Sequence, residues 1–182
     1  NKNEERKNPE IGEDEKVILV IGGSLGAKSI NEAVIKNWEK IISDEKIKLF
    51  WGTGKDNFEE NTYRMKNFGN SVVKPYFNNV ADIMSASDLV ICRAGASTIS
   101  ELIQLEKPSI LIPYDFVGQK ENADVLEYVN GAKIFTNETA DKAVEEALNL
   151  VKQDEMLEFM KENIEKLKKG NASDTIIEEM GL

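Results

Sequence analysis

The residues best suited to chemistry follow the apolar run 89–92, which is predicted to be a buried strand. The small-residue turn 93–96 comes next, and Thr98 with Glu101 has the spacing of a capping box that opens a helix. A strand that enters a helix through such a turn presents backbone N–H groups and the positive end of the helix dipole at the sheet edge. Because α/β folds bind anionic ligands at that edge, the sequence predicts an anion site here.

Four polar residues near this edge each have a functional and a purely structural interpretation. Glu101 could accept both hydroxyls of a ribose, although the spacing favours a hydrogen bond back to the Thr98 amide. Arg93 could contact a phosphate, but a surface salt bridge is the more common role. Gln119 and Asn122 follow a later predicted strand, and their amides suit sugar hydroxyls because each offers a donor and an acceptor. A helix start with a polar face would explain the same two residues.

A second turn follows the apolar run 17–21 and reads Gly22-Gly23-Ser24-Leu25-Gly26-Ala27. It matches the Gly-x-Ser-x-Gly nucleophile elbow, but the chain has no histidine to serve as the base, which disfavours a self-contained hydrolase. Ala27 stands where a Walker A motif needs its second glycine, and Ser24 interrupts Gly-x-Gly-x-x-Gly. What remains is that Gly22, Gly23 and Gly26 let the backbone approach a ligand while Ser24 donates its hydroxyl. An ordinary tight turn explains the loop equally well.

Composition excludes several classes of function. The 182 residues carry a net charge of -10, which disfavours binding to nucleic acid and to anionic lipid. The absence of histidine, together with a single cysteine, Cys92, argues against a zinc site and against a disulfide framework. No apolar run approaches the ~20 residues of a membrane-spanning helix, and no signal peptide is visible.

The remaining elements must bring the two turns to one edge of a sheet. Strands and helices alternate with mostly short loops, which predicts an α/β, Rossmann-like doubly wound parallel sheet. Residues 1–16 are predicted to be a linker or lead-in, and 17–182 a single domain. Strands are predicted at 17–21, 47–51, 72–75, 89–92, 109–112 and 133–135. Beyond the helix opened by the turn at 93–96, helices are predicted at 27–42, 56–68, 80–84, 119–129, 139–151, 154–169 and 172–180.

Four segments together resemble the C-terminal half of the MurG family, the N-acetylglucosaminyltransferases of peptidoglycan synthesis. These segments are 22–27, 88–101, 108–113 and 119–123, and the run Cys-Arg-Ala-Gly-Ala-Ser-Thr at 92–98 is the most specific part. The resemblance extends from residue 17 to the end of the chain. It implies one half of a GT-B glycosyltransferase, in which two Rossmann-like domains face each other across a cleft.

The resemblance also implies the role of each candidate residue toward UDP-N-acetylglucosamine (UDP-GlcNAc). Ser24 would bond the diphosphate, Phe77 would line the uracil site mainly through its backbone, Glu101 would hold the ribose hydroxyls and Gln119 would contact hydroxyls of the sugar. Backbone N–H groups would be offered to the diphosphate by Ala96, Ser97, Thr98, Ile99 and Ser100. Two positions depart from the family pattern, since Leu25 replaces a glutamine and Gly118 replaces a common histidine.

The activity implied by the resemblance is transfer of GlcNAc from UDP-GlcNAc to lipid I, which forms lipid II. The acceptor site, the membrane-facing patch and a histidine proposed as base belong to the N-terminal half of the family, so no catalytic residue is expected in this chain. No cofactor and no metal are expected. This chain alone is expected to be soluble and inactive, and the full-length enzyme peripheral at the cytoplasmic face of the membrane. The alternatives are a UDP-GlcNAc 2-epimerase-like domain and a non-catalytic nucleotide-sugar-binding domain.

Overall fold

A parallel β-sheet is the frame of the part that the computed structural model describes, residues 8–22, 27–115 and 118–170. The strands are β1 Lys16–Ile21, β2 Ile47–Gly52, β3 Val72–Lys74, β4 Leu89–Cys92, β5 Ser109–Leu111 and β6 Ala132–Ile134. Their order in the sheet is β3-β2-β1-β4-β5-β6, and every neighbouring pair is parallel. The predicted Rossmann-like doubly wound sheet is therefore confirmed.

The helices of the described residues cover both faces of this sheet. Successive side chains of a strand point to opposite faces, so Val17 and Leu19 of β1 enter one core cluster while Ile18 and Val20 enter the other. The central strands are apolar on both faces for this reason. The helices are α1 Lys28–Lys36, α2 Trp38–Ile42, α3 Phe58–Tyr63, α4 Val80–Ala86, α5 Ala96–Gln104, α6 Gln119–Tyr128, α7 Ala140–Leu150 and α8 Asp154–Lys168.

The last described helix, α8, joins the two core clusters. Leu157 and Met160 belong to the cluster on one face, and Ile164 and Leu167 belong to the cluster on the other. Burial of apolar side chains from one helix in both clusters ties the two layers of helices together. The short helix predicted at 172–180 lies outside the described residues.

Two predicted helices differ from the observed ones. The helix predicted at 27–42 is divided at Asn37, whose side-chain Nδ2 donates to the carbonyls of Ala33 at 2.9 Å and of Asp141 at 3.3 Å. A buried side chain that competes for backbone carbonyls in this way interrupts a helix. The helix predicted at 56–68 is reduced to α3 after a 3-10 turn at Lys55–Asn57. Only Asn61 of α3 is buried, so little apolar burial supports a longer helix there.

The strand order places a switch point between β1 and β4. The chain moves outward from β1 to β2 and β3, and then returns to the other side of β1 and continues to β6. Doubly wound folds bind ligands in the crevice at such a point, beyond the carboxyl ends of the strands. The loops after β1 and after β4 are the two glycine-containing turns that the sequence singled out.

Candidate functional site

The turn after β4 leads into α5 earlier than the sequence predicted. The helix begins at Ala96, and its N-cap is Gly95 in an extended conformation with φ -63° and ψ 149°. No side chain caps this helix start, so the predicted capping box of Thr98 and Glu101 is wrong. Gly95 satisfies the geometry of the N-cap without a side chain, which moves the helix start three residues toward β4. Glu101 is left exposed, and its carboxylate has no hydrogen bond or ion pair within the described residues.

The start of α5 presents free backbone donors. The N–H of Ile99 donates to the carbonyl of Gly95 at 2.9 Å, which is the first hydrogen bond of the helix. Ser100, one residue further on, lies inside the hydrogen-bonded turns. Of the backbone N–H groups predicted at 96–100, those of Ala96, Ser97 and Thr98 are therefore free of helical hydrogen bonds. Ala96 and Ser97 are also exposed.

Two amide side chains of α6 hold the peptide that precedes this helix start. Gln119 Oε1 accepts hydrogen bonds from the backbone N–H of Ala94 at 3.2 Å and of Tyr114 at 3.0 Å. Asn122 Nδ2 donates to the carbonyl of Ala94 at 3.0 Å. Both polar groups of Ala94 are thus bonded to α6, which fixes the turn at 93–96 against the neighbouring loop.

These contacts determine which end of the Gln119 amide is available to a ligand. The two backbone N–H groups require an acceptor, so the amide oxygen of Gln119 faces the protein. Nε2 is therefore the atom of this amide that remains available to a ligand. Nε2 lies 4.0 Å from the point where a Cβ on Gly95 would stand, so it is close to the start of α5. Gly118, directly before α6, has φ +98°, a conformation that glycine adopts without strain.

Only the two ends of the glycine-rich loop after β1 are described, and Gly23, Ser24 and Gly26 lie outside the described residues. A Cβ on Gly22 would stand 2.1 Å from Cβ of Ala27, which is far closer than two carbon atoms can approach. The two ends of the loop therefore lie against each other, and a glycine is required at position 22 for this close approach. Ala27 is the N-cap of α1, so the loop ends at a helix start.

Phe77 lies after β3 with its side chain turned into the core. It is 8% exposed, and its ring meets that of Phe50 edge-on at a centroid distance of 6.1 Å. Gly52, at the end of β2, faces the same ring, since a Cβ there would stand 3.5 Å from the Phe77 ring. With its ring inside the protein, Phe77 has its backbone as the group available to a ligand.

A buried polar network supports the loop that follows β2. Trp51 Nε1 donates to Asn31 Oδ1 at 3.0 Å, and Asn31 Nδ2 donates to the carbonyl of Thr53 at 2.9 Å. All three residues are buried, and each polar atom of this chain of bonds has a partner. The network links α1 to the end of β2 and was not found from the sequence, because its members are far apart along the chain.

Arg93 is buried, so the expectation of a surface salt bridge is wrong. It is 7% exposed, and its guanidinium donates to the carbonyl of Ile112 at 3.0 Å and to Asn137 Oδ1 at 2.6 Å. A further bond runs to Ser29 Oγ at 3.2 Å, and the guanidinium carbon lies 4.0 Å from the centre of the Tyr114 ring. Burial lowers the pKa of this guanidinium from its ordinary value, while Tyr114 and Asp115 act in the opposite direction.

The sole cysteine is a core residue. Cys92 ends β4 and is 1% exposed, and burial followed by the charge of Glu101 raises the pKa of its thiol to about 12. Such a thiol is protonated at neutral pH and is not a nucleophile. Within the described residues, no group of three potential carboxylate or thiol ligands is arranged to hold a metal ion. None of the described helices is both long and apolar enough to cross a membrane.

The described candidate residues follow strands β3, β4 and β5 at the carboxyl edge of the sheet. Gln119 and the start of α5 are in contact through Ala94, and Phe77 lies at the same edge beyond β2. The sequence did not predict the roles of Asn122 in holding Ala94 or of Arg93 as a buried node. For Asn122, the only signal in the sequence was an asparagine three residues after a glutamine at a predicted helix start.

A parallel sheet with two helix starts at its switch point defines a Rossmann-like nucleotide-binding domain. Residues 17–178 match the glycosyltransferase family 28 C-terminal domain, and the chain belongs to this family. The fold is that of one half of a GT-B glycosyltransferase.

Known relatives agree with this assignment. A protein of Fusobacterium nucleatum named UDP-N-acetylglucosamine--N-acetylmuramyl-(pentapeptide) pyrophosphoryl-undecaprenol N-acetylglucosamine transferase is 46% identical over 95% of this chain and 49% of its own length. The crystal structure of MurG from Acinetobacter baumannii has a TM-score of 0.68 at 25% identity over 99% of this chain and 52% of that protein. The chain thus spans about half the length of the curated relatives it matches.

The epimerase alternative has weaker support. The structure of a UDP-GlcNAc 2-epimerase from Neisseria meningitidis, bound to UDP-GlcNAc, has a TM-score of 0.65 at 21% identity, over 97% of this chain and 47% of that protein. Identity at this level shows a shared fold alone.

Proposed function

We propose that this chain is the donor-binding half of an N-acetylglucosaminyltransferase of peptidoglycan synthesis, and that its ligand is UDP-GlcNAc. The observation that carries the proposal is the turn at 93–96, which ends in free backbone donors and is held in place by Gln119 and Asn122. Helix starts with free N–H groups bind diphosphates because the aligned donors and the helix dipole both favour negative charge. The relatives named above supply the identity of the sugar nucleotide.

The order of the candidate residues along the sheet edge supports this ligand. Phe77 follows β3, the two glycine-containing loops follow the central strands β1 and β4, and Gln119 follows β5. Neighbouring strands are about 4.8 Å apart, so the edge from β3 to β5 measures about 19 Å. UDP-GlcNAc is an elongated molecule in which uracil, ribose, diphosphate and sugar follow one another. Placed along the edge with uracil at Phe77, it brings the diphosphate to the two loops and the sugar to Gln119.

The roles of the residues follow from their chemistry. The N–H groups of Ala96, Ser97 and Thr98, together with the Ser24 hydroxyl, bind the diphosphate, and Glu101 accepts hydrogen bonds from the ribose. Gln119 donates from Nε2 to a sugar oxygen, because its carbonyl oxygen is already used by the protein.

In the complete enzyme a hydroxyl of lipid I attacks the anomeric carbon and gives its proton to a base of the other half, while the bond to UDP breaks and lipid II is formed with inversion. Negative charge that develops on the departing UDP is stabilised by the start of α5. The acceptor and the cytoplasmic face of the membrane are contacted by the other half of the enzyme. The present chain is accordingly expected to bind donor without transferring sugar.

Calorimetric titration of the chain with UDP-GlcNAc, UDP-glucose and UDP tests this proposal. We expect UDP to bind and UDP-GlcNAc to bind more tightly than UDP. No binding of either UDP or UDP-GlcNAc would contradict the proposal.

The variant Gln119→Glu separates the sugar contact from the structural role of this residue. Glutamate keeps an oxygen for the N–H groups of Ala94 and Tyr114 but cannot donate to a sugar oxygen. We expect UDP to bind as it does to the original chain, while the advantage of UDP-GlcNAc over UDP is lost. Lys120→Met, which changes an exposed neighbour on α6, is the matched control and should leave both affinities unchanged.

A further inference from the structure

Arg93 is a buried charge that forms no ion pair within the described residues, and Tyr114 and Asp115 are the neighbours that favour its charged form. Its hydrogen-bond acceptors are a backbone carbonyl, an amide oxygen and a hydroxyl, all of them neutral. Its Nε is buried and has no partner, and no carboxylate forms an ion pair with Arg93 within the described residues. The ion pairs found there each join side chains that are more than a fifth exposed. A buried cation that forms no ion pair is costly in free energy and calls for an explanation.

The position of Arg93 offers an explanation for this buried charge. The residue stands between β4 and the start of α5, and its guanidinium bonds Ser29 in the first turn of α1. Those are the helices that begin after the two glycine-containing loops at the switch point. The guanidinium therefore contacts the first turn of α1, while Arg93 itself lies three residues before the first residue of α5.

We propose that Arg93 is a positioning residue whose fixed positive charge acts, from inside the protein, on the diphosphate of the donor. This inference rests on the proposed function, since it assigns part of the diphosphate affinity to a residue behind the binding loops. The guanidinium does not touch the ligand, and it adds a full charge to the partial charges of the helix starts. In a buried setting this attraction is weakly screened by salt.

The competing explanation is that Arg93 only links loops. Because the loops that Arg93 links are those proposed to bind the diphosphate, a lost link would also lower the affinity for UDP more than that for uridine. Loss of the charge would lower the affinity for UDP, which carries phosphates. It would leave the affinity for uridine, which carries none, unchanged. The explanations are therefore separated by the ratio of the two affinities in Arg93→Lys, which keeps the charge without the fork of hydrogen bonds, and in Asn137→Ala, which keeps the charge and removes one link.

The experiment is an NMR titration of the chain and its variants with uridine and with UDP, at low salt and in 0.5 M NaCl, a concentration about five times that at which the screening length is ~10 Å. We expect Arg93→Gln to reduce the UDP-to-uridine affinity ratio by about tenfold or more, with uridine affinity changed by less than about twofold. Arg93→Lys, which keeps the charge, should retain most of the ratio. Lys120→Met, which removes an exposed charge of α6, should have little effect, and none in salt.

Two results would overturn the inference, namely equal losses for uridine and UDP in Arg93→Gln, or no loss for either. Whether or not Arg93→Gln unfolds cooperatively, Arg93→Lys is compared with Asn137→Ala, which leaves the charge in place and removes one link. Retention of the ratio in both variants supports the charge effect, and its loss in either variant overturns it. If the original chain binds neither UDP nor UDP-GlcNAc, the proposed function fails instead, so the two failures are distinguishable.

Discussion

Replacement of Glu101 by glutamine tests whether this carboxylate holds the ribose. The side chain is exposed, has no partner within the described residues and does not cap α5. Its loss should therefore change the free energy of unfolding by less than about 0.5 kcal/mol. Hydrogen bonds to a charged group contribute about 1.5–3 kcal/mol, and glutamine keeps only a neutral acceptor. A loss of about 2 kcal/mol in binding corresponds to donor affinity about 30-fold weaker.

The assay pairs calorimetric titration with thermal unfolding of the same samples. UDP and UDP-GlcNAc should weaken by the same factor, because the ribose is common to both ligands. Glu138→Gln is the matched control, since Glu138 is an exposed carboxylate after β6 at the same edge of the sheet. That variant should bind both ligands like the original chain.

Two results would refute the reasoning about Glu101. Unchanged affinity for both ligands in Glu101→Gln would show that the carboxylate does not contact the donor. A decrease of several degrees in the unfolding temperature would show that Glu101 stabilises α5 after all, and that exposure was a poor guide to its role.

Three further changes have defined outcomes. Gly22→Ala should weaken UDP binding at least about tenfold, and denaturant titrations should show an unfolding free energy lower by about 1–3 kcal/mol. The reason is that the added Cβ would stand 2.1 Å from Cβ of Ala27. A variant that binds and unfolds like the original chain would contradict this close approach. Asn122→Ala should lower the unfolding free energy by about 1 kcal/mol more than Asn163→Ala on α8, because it removes the bond to the Ala94 carbonyl, and equal effects would be evidence against that bond. The pKa of Cys92 is raised from 9.0 to about 12, so the unfolded chain loses this proton first and stability should fall as pH rises between these values. The part of the slope that disappears in Cys92→Ala, up to about 1.4 kcal/mol per pH unit, measures the effect, and identical slopes would exclude it.

The sequence by itself determined the alternation of strands and helices and hence the doubly wound parallel sheet. Short apolar runs such as 17–21 and 89–92 form strands because a sheet covered on both faces buries every side chain of its central strands. The glycine-containing turns after these runs marked the two loops of the switch point, and the run at 92–98 carried the resemblance to the family. Each of these signals is local, since it depends on neighbouring residues alone.

Tertiary structure alone decided how the site is held together. The bonds of Ala94 join residues 25 and 28 positions apart, and those of Arg93 join residues 44 and 64 positions apart. Whether an arginine pairs with a carboxylate at the surface or lies buried among neutral acceptors depends on which distant loops the sheet brings beside it. The helix start at Ala96 was decided in the same way, because α6 holds Ala94 and leaves Gly95 as the cap. The residue types that could bind a donor are therefore visible in the sequence, whereas their supports depend on contacts between distant segments.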